Sequence, residues 1–321
     1  MPEKPFVVGV DLGGTNMQIG VVDAQGAIRG RYKLKTKADK GGDAIVERMA
    51  EGIHDACSQA GVKPHDLAGV GVGAPGAIDM ATGVVLEAPN LRWNHFPLAD
   101  KLSREVAGRP VLIDNDVNVA VYGENKLGAA RGARDLVGIW IGTGIGGGLV
   151  LNGSLYYGSL GTAGEIGQTV LLPGAPLGFR TLEQVCSRKH VVGRLMKLIE
   201  ANNPSLLTSI VDRGDDVGAS AVAEAYRRGD ELVTSVMDEV AQFLGVAAAN
   251  AVTLLSLRMV VLGGGIAEAF GQPLADRVAE AMKPLVFPRQ LRDCKVVCTQ
   301  LADDAGLLGA AMLAQERFGE A

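Results

Sequence analysis

The sequence predicts an α/β protein of two related domains with a ligand cleft between them. Three observations carry that expectation. The chain has 321 residues, more than one ordinary core fills and enough for two domains of about 150 residues each. Short runs of β-branched residues alternate with stretches whose apolar residues recur at helical spacing, the alternation that builds α/β layers. A strand–glycine turn–strand pattern at residues 8–15 returns at residues 137–144, a constant offset of 129, and a repeat of that kind implies two copies of one unit.

Composition narrows the function classes. A chain with 47% hydrophobic and 21% charged residues folds rather than staying disordered. Its net charge of −5 argues against nucleic acid, which wants a basic face. Met1–Pro5 leads directly toward the first strand without a signal-peptide pattern, and an uncharged apolar span of 18 residues is missing, so a cytoplasmic protein without a membrane partner is expected. Cys57, Cys186, Cys294 and Cys298 contain no Cys-x-x-Cys pair and are expected to be reduced, mostly buried thiols.

The elements follow in order. Residues 7–12 and 19–23 read as strands joined by a tight turn. Gly13 and Gly14 lack a Cβ, so the backbone can approach an anion, with the Thr15 hydroxyl and Asn16 beside it. Asp11 stands where a hydrated Mg²⁺ is commonly held, by one or two carboxylates and phosphate oxygens. An ordinary glycine hairpin is the competing reading. Residues 27–34 suggest a third strand. Ile45, Met49, Ile53 and Cys57 put one apolar face on a helix over 42–60. A strand at 67–72 runs into Gly73-Ala74-Pro75-Gly76, a bend at a strand end where α/β proteins place ligands. Residues 88–94 read as an irregular surface segment packed by Trp93, and 98–106 as a short helix. Residues 111–116 form an apolar run ending in carboxylates before a helix over 117–127. Asp116 therefore either caps that helix or faces a cleft as a base.

In the second copy Trp140 replaces Asp11, and Gly142-Thr143-Gly144 forms the turn, so two glycine hairpins could grip a nucleotide's phosphates. Residues 155–167 are glycine-rich and carry Glu165. A helix is expected over 180–201, beginning near Glu183, with further helices over 218–228 and 232–255. The last carries a stripe of Val236, Val240, Phe243, Leu244, Ala247, Ala251 and Leu254. A strand at 258–262 enters Gly263-Gly264-Gly265, a turn that lets backbone lie flat against a base. Residues 305–318 form a closing helix that crosses back to the first domain.

Asp11-Leu12-Gly13-Gly14-Thr15, Gly142-Thr143-Gly144-Ile145-Gly146-Gly147-Gly148 and Leu262-Gly263-Gly264-Gly265 resemble, in order and spacing, the two phosphate motifs and the adenosine motif of the sugar kinase, hexokinase and actin superfamily. Gly73-Ala74-Pro75-Gly76, Ala88-Pro89-Asn90-Leu91, Asn115-Asp116 and the run Gly161 to Gly167 resemble more narrowly the ROK family of sugar kinases and repressors. The resemblance implies an actin-like ATPase fold, a duplicated ribonuclease H-like architecture. Its domains would be residues 1–115, joined by the helix at 305–321, and residues 116–304. It implies that Asp116 is the catalytic base and that Gly76, Asn90, Asn115, Asp116, Glu165, Gln168 and Glu183 face a sugar. Asp11, Gly13, Gly14, Thr15, Asn16, Gly142, Thr143, Gly144, Gly146, Gly263, Gly264 and Gly265 would hold the nucleotide, with Asp11 reaching Mg²⁺ through phosphate or water. The implied reaction is ATP-dependent phosphorylation of a hexose 6-hydroxyl, glucose first, in a homodimer or homotetramer.

The sequence departs from the family at its zinc motif. The position of the usual histidine is Gln168, and those of three cysteines are Thr181, Pro176 and Gly174. No structural zinc is expected, because zinc needs thiolates or imidazoles. Cys186 and His190, one helical turn apart, are expected in the core and at the surface. Alternatives remain at this level: N-acetylmannosamine, N-acetylglucosamine, fructose or allose as acceptor, polyphosphate as donor, or a sugar sensor without turnover. The repressor branch is disfavoured by the lack of a helix-turn-helix ahead of Phe6.

Overall fold

The computed structural model describes residues 6–211 and 217–319. These form two compact units. One comprises the described chain up to Gly132, Leu155–Ala163 and the segment from Asp303 on; the other comprises Ala133–Ser154 and Gly164–Ala302. Met1–Pro5 and the last two residues of the expected closing segment lie outside the described residues.

The first unit opens with an antiparallel meander of β1 (Val7–Leu12), β2 (Asn16–Val22) and β3 (Ile28–Lys35), followed by α1 (Gly42–Ala60). After β4 (Gly69–Ala74) comes a separate three-stranded sheet of β5 (Ala77–Asp79), β6 (Val84–Ala88) and β7 (Trp93–Phe96). Then follow α2 (Leu98–Glu105), β8 (Val111–Asn115) and α3 (Asp116–Lys126). The main sheet is ordered β3-β2-β1-β4-β8, with β4 parallel to both β1 and β8. Val8, Val10, Val70 and Val72 are fully buried, as the β-branched runs require when both sheet faces are covered. The helix Ala305–Phe318 lies directly on this sheet. A Cβ at Gly9 or Gly71 would stand 2.0 Å from the carbonyl of Leu307 or Ala310, so bare backbone in two central strands is what admits it.

The second unit repeats the plan. It contains β9 (Leu136–Ile141), β10 (Ile145–Leu151), β12 (Met259–Gly263), β13 (Lys295–Cys298) and, of β11 (Ser154–Leu155), the residue Ser154; the sheet order is β11-β10-β9-β12-β13. Every boundary of β9 and β10 falls 129 residues after its counterpart in β1 and β2. The helices are α4 (Leu182–Cys186), α5 (Arg188–Glu200), α6 (Leu207–Ile210), α7 (Ala219–Arg227), α8 (Glu231–Leu255), α9 (Gly264–Phe270) and α10 (Gln272–Met282). By length and composition α8 could cross a membrane, but Val233, Val236, Val240, Leu244, Ala247 and Val252 bury its apolar side in the core of this unit.

Several expectations are corrected. The single helix over 180–201 is two helices, because Ser187 adopts an extended backbone (φ −66°, ψ 152°) between them. Residues 88–94 belong in part to the small sheet, where buried Trp93 stacks on Phe96 at 4.4 Å. Leu254 leaves the stripe of α8 and is exposed. The glycine triplet is the junction of β12 and α9 rather than a free turn. The expected boundary at 115/116 moves, since α3 packs on the C-terminal helix and stays with the first unit.

Candidate active site

In the first unit, the chain folds its polar residues to the C-terminal ends of β1, β4 and β8. The N–H of Gly13 donates to the carbonyl of Asn16 at 3.0 Å and closes the β1–β2 turn, leaving Gly14, Thr15 and Asn16 exposed. Thr36, which lies outside the motifs, braces the turn: its hydroxyl donates to the Gly13 carbonyl at 2.6 Å and its N–H to the Thr15 carbonyl at 2.8 Å. Asp11 lies against the start of the C-terminal helix, where a Cβ on Gly306 would stand 2.9 Å from its Oδ2. Burial first, then the Asp116 and Asp303 carboxylates, raise the Asp11 carboxyl against the pull of Lys33, to about 7. A cation at this position would relieve that cost of ionisation.

Asn115, not Asp116, caps α3. Its Oδ1 accepts the N–H groups of Val117 and Asn118 at 2.9 and 3.2 Å, and its Nδ2 donates to the Gly76 carbonyl at 3.2 Å. Cap geometry selects it because Asn115 keeps the extended backbone (φ −65°, ψ 143°) of a residue before a helix. Asp116 is then the first helical residue, with its carboxylate accepting the Val117 N–H at 2.9 Å and its charge at the favourable end of the helix dipole. Beneath it lies the buried Asp114. Tyr157 donates its hydroxyl to Asp114 Oδ2 at 2.7 Å, Asn118 Nδ2 donates to Oδ1 at 3.1 Å, and the Asn115 N–H donates to Oδ1 at 2.7 Å. Burial outweighs these donors and holds the Asp114 carboxyl above its ordinary range.

The two predicted sugar loops join this group. Gly76, at φ +100°, has room for no Cβ because the Glu87 carbonyl would stand 2.0 Å away. Asn90 sits in the 3-10 turn Pro89–Leu91, its Cβ 3.6 Å from where Gly14 would carry one. The structure thus brings together Asp11, Gly13, Gly14, Thr15, Gly76, Asn90, Asn115 and Asp116 through short links within one unit.

In the second unit the Gly142 N–H donates to the Gly144 carbonyl at 2.9 Å, and Thr143 is exposed at the tip. Glu183, on α4, holds this turn from below. Its Oε2 accepts the Ile145 N–H at 2.8 Å, and a Cβ on Gly144 would come within 2.5 Å of the same oxygen. Gln168 donates to Glu183 Oε1 at 3.4 Å, so Glu183 links Gln168 to the Gly142–Gly144 turn. Glu165 is exposed, yet its carboxyl is raised, by burial first and by the Glu183 carboxylate second. Thr181 caps α4, and the Ser187 hydroxyl pairs with His190 Nδ1 at 2.8 Å. Cys186 is buried with its thiol toward the Val240 carbonyl.

Other predicted nucleotide residues sit differently. Gly146 lies inside β10 opposite Trp140, past the turn. Gly263 is glycine because the Trp140 ring would stand 2.3 Å from a Cβ there, and Gly264, at φ +79°, lies against the backbone of Ile141. Gly265 alone of the three faces open space.

Among the described residues, no group of three or more His, Cys, Asp or Glu side chains could hold a metal ion. Asp11 nevertheless fits Mg²⁺, which takes one or two carboxylates and completes its shell with phosphate oxygens and water. Behind that fit is the place of Asp11 near the end of β1, against the start of the C-terminal helix, with the Asp116 and Asp303 carboxylates acting on it.

Residues 7–317 match the ROK family. The chain is 34% identical over 317 residues to a glucokinase of Halalkalibacterium halodurans, covering 97% of this chain and 96% of that protein. It is also 34% identical over 321 residues to a glucokinase of Thermotoga maritima, covering 98% and 99%. The structure resembles the crystal structure of a ROK family glucokinase from Streptomyces griseus in complex with glucose and AMPPNP, with a TM-score of 0.83, 31% identity, and coverage of 97% of this chain and 99% of that one.

Proposed function

Because the chain belongs to the ROK family, we propose that it is an ATP- and Mg²⁺-dependent hexose kinase that phosphorylates the sugar's 6-hydroxyl, with glucose as the main acceptor. The observation that carries this reading is the placement of Asp116. Its carboxylate is fixed at the head of α3 by the Asn115 cap and stands close enough to Asp11 for the two charges to interact.

In this reading Asp116 accepts the proton of the 6-hydroxyl while that oxygen forms its bond to the γ-phosphorus and the bond to the β-phosphate oxygen breaks. The leaving electron pair stays on ADP. Such transfer proceeds through a loose transition state, so position and charge neutralisation matter more than base strength. An ionised carboxylate at a helix N-terminus is adequate for it. Asp11 would hold the Mg²⁺, which supplies charge neutralisation to the phosphates when bound. Gly13, Gly14, Thr15 and Asn16 in one unit and Gly142, Thr143 and Gly144 in the other supply the phosphate turns, and Gly265 offers open backbone to the adenosine. Asn90, Asn115, Glu165, Gln168 and Glu183 supply donors and acceptors to the sugar hydroxyls. No zinc enters the reading, since Gln168, Thr181, Pro176 and Gly174 offer neither thiolate nor imidazole.

The test is a panel of hexoses given to purified protein with MgATP, following ADP and locating the phosphate on the product. Glucose is expected to give glucose 6-phosphate, with N-acetylmannosamine and N-acetylglucosamine turned over at least about 10-fold less well, the range one misfitted group commonly costs. Faster turnover of an N-acetyl sugar would overturn the glucose assignment while keeping the kinase. Thermal stabilisation by a sugar with no turnover would replace the kinase by a sensor.

A further inference from the structure

The second phosphate turn carries a cation that none of the glycine motifs contains. Arg188 opens α5 and is tied to the turn twice: its N–H donates to the Gly142 carbonyl at 2.9 Å, and its Nη2 donates to the Thr143 hydroxyl at 2.9 Å. Arg188 is half-buried as a residue, and the hydrogen bond of its guanidinium to Thr143 is exposed. Among the described residues, no carboxylate forms an ion pair with it. Thr143 takes one of five N–H donors of a planar fork that suits phosphate oxygens. Helix stability does not account for the residue, because a cation in the first turn stands at the unfavourable end of the helix dipole.

We propose that Arg188 is a phosphate-binding residue of the nucleotide site, its guanidinium aimed by Thr143 at the terminal phosphates of ATP on the Gly142–Gly144 turn. The inference rests on the kinase reading above and assigns that site its protein cation. As the γ-phosphoryl group leaves, negative charge grows on the β-phosphate oxygens, and a guanidinium already held in place stabilises it without reorganising. Lysine would supply charge but not the paired geometry.

The test compares ATP, ADP and AMP binding by calorimetry to the wild type, Arg188→Met and Arg188→Lys, together with glucose kinetics. Arg188→Met is expected to weaken ATP by about 10- to 100-fold, the range of a lost charged hydrogen bond, and AMP by less than about twofold. Turnover at saturating ATP should fall with it, glucose binding should hold, and Arg188→Lys should recover part of the loss. Thr143→Val, which keeps the cation but removes its guide, should weaken ATP by a smaller factor and provides the same reading should Arg188→Met fail to fold. Equal weakening of ATP and AMP would make Arg188 a mere prop of the turn and overturn the inference. So would ATP binding and turnover within about twofold of wild type. A wild type that turns over sugar with Arg188 irrelevant sinks this inference alone. One that prefers ATP through Arg188 yet phosphorylates no sugar sinks the kinase reading alone, and one that binds no ATP sinks both.

Discussion

Asp11 and Asp116 stand out in the sequence because each carboxylate comes at the end of an apolar run. What surrounds them does not. Tyr157 reaches Asp114 across 43 positions of sequence, Arg188 reaches Thr143 across 45, and Thr36 reaches Gly13 across 23. Such contacts leave no periodic trace. Nor did the sequence separate Asn115 from Asp116 as the cap, since both are good caps and the backbone decides. Asp11 yields a prediction at this scale. Its folded pKa, about 7, lies above the ordinary 3.8, so the folded chain binds this proton more tightly than the unfolded chain between those values. The contribution of Asp11 to stability therefore falls as pH rises through that window and stays unfavourable above it. Asp11→Asn should melt higher than wild type at pH 8 and about level with it near pH 4, in calorimetric scans without nucleotide. A variant melting lower than wild type at pH 8 would contradict the assigned environment.

Among the elements, long helices are the most legible: α1 and the C-terminal helix have the limits expected at 42–60 and 305–318. The misses are short. The small sheet of β5, β6 and β7 has strands of three to five residues, too brief for alternation to declare itself, and the α4–α5 break turns on the backbone of Ser187. Within the glycine triplet the sequence does not separate the roles: Gly263 serves close packing against Trp140, whereas Gly265 is left open. For α8, the cap carries a prediction. Asp230 accepts the Val233 N–H at 2.9 Å and the Ser205 hydroxyl and Leu206 N–H at 2.6 Å. Burial pushes its carboxyl up, but these donors outweigh burial and hold it below the ordinary value. Its stabilisation is thus present above about pH 4 and is lost as pH falls through the lowered folded value. Asp230→Ala should cost about 2 kcal/mol at pH 7 in urea unfolding, with the difference shrinking below pH 4; a constant difference would mean that the carboxylate charge is not what caps the helix.

For the whole molecule, the 129-residue echo is the most informative feature of the sequence: it implies two related α/β domains, and the two five-stranded sheets share one strand order. The two copies differ at their turns. The first copy has the carboxylate of Asp11, and the second places Trp140 there and packs it on Gly263; in the proposed reading the first turn takes a metal-bound phosphate and the second is served by Arg188. The central claim is that this duplicated scaffold moves a phosphoryl group to a sugar through Asp116. It is tested most directly by glucose-dependent ADP release from MgATP in wild type and Asp116→Asn, with glucose binding followed in parallel by thermal shift. Wild type should turn over, and the variant should lose at least about 100-fold in turnover while glucose still raises its melting temperature. An Asp116→Asn protein that phosphorylates glucose at the wild-type rate would contradict the account.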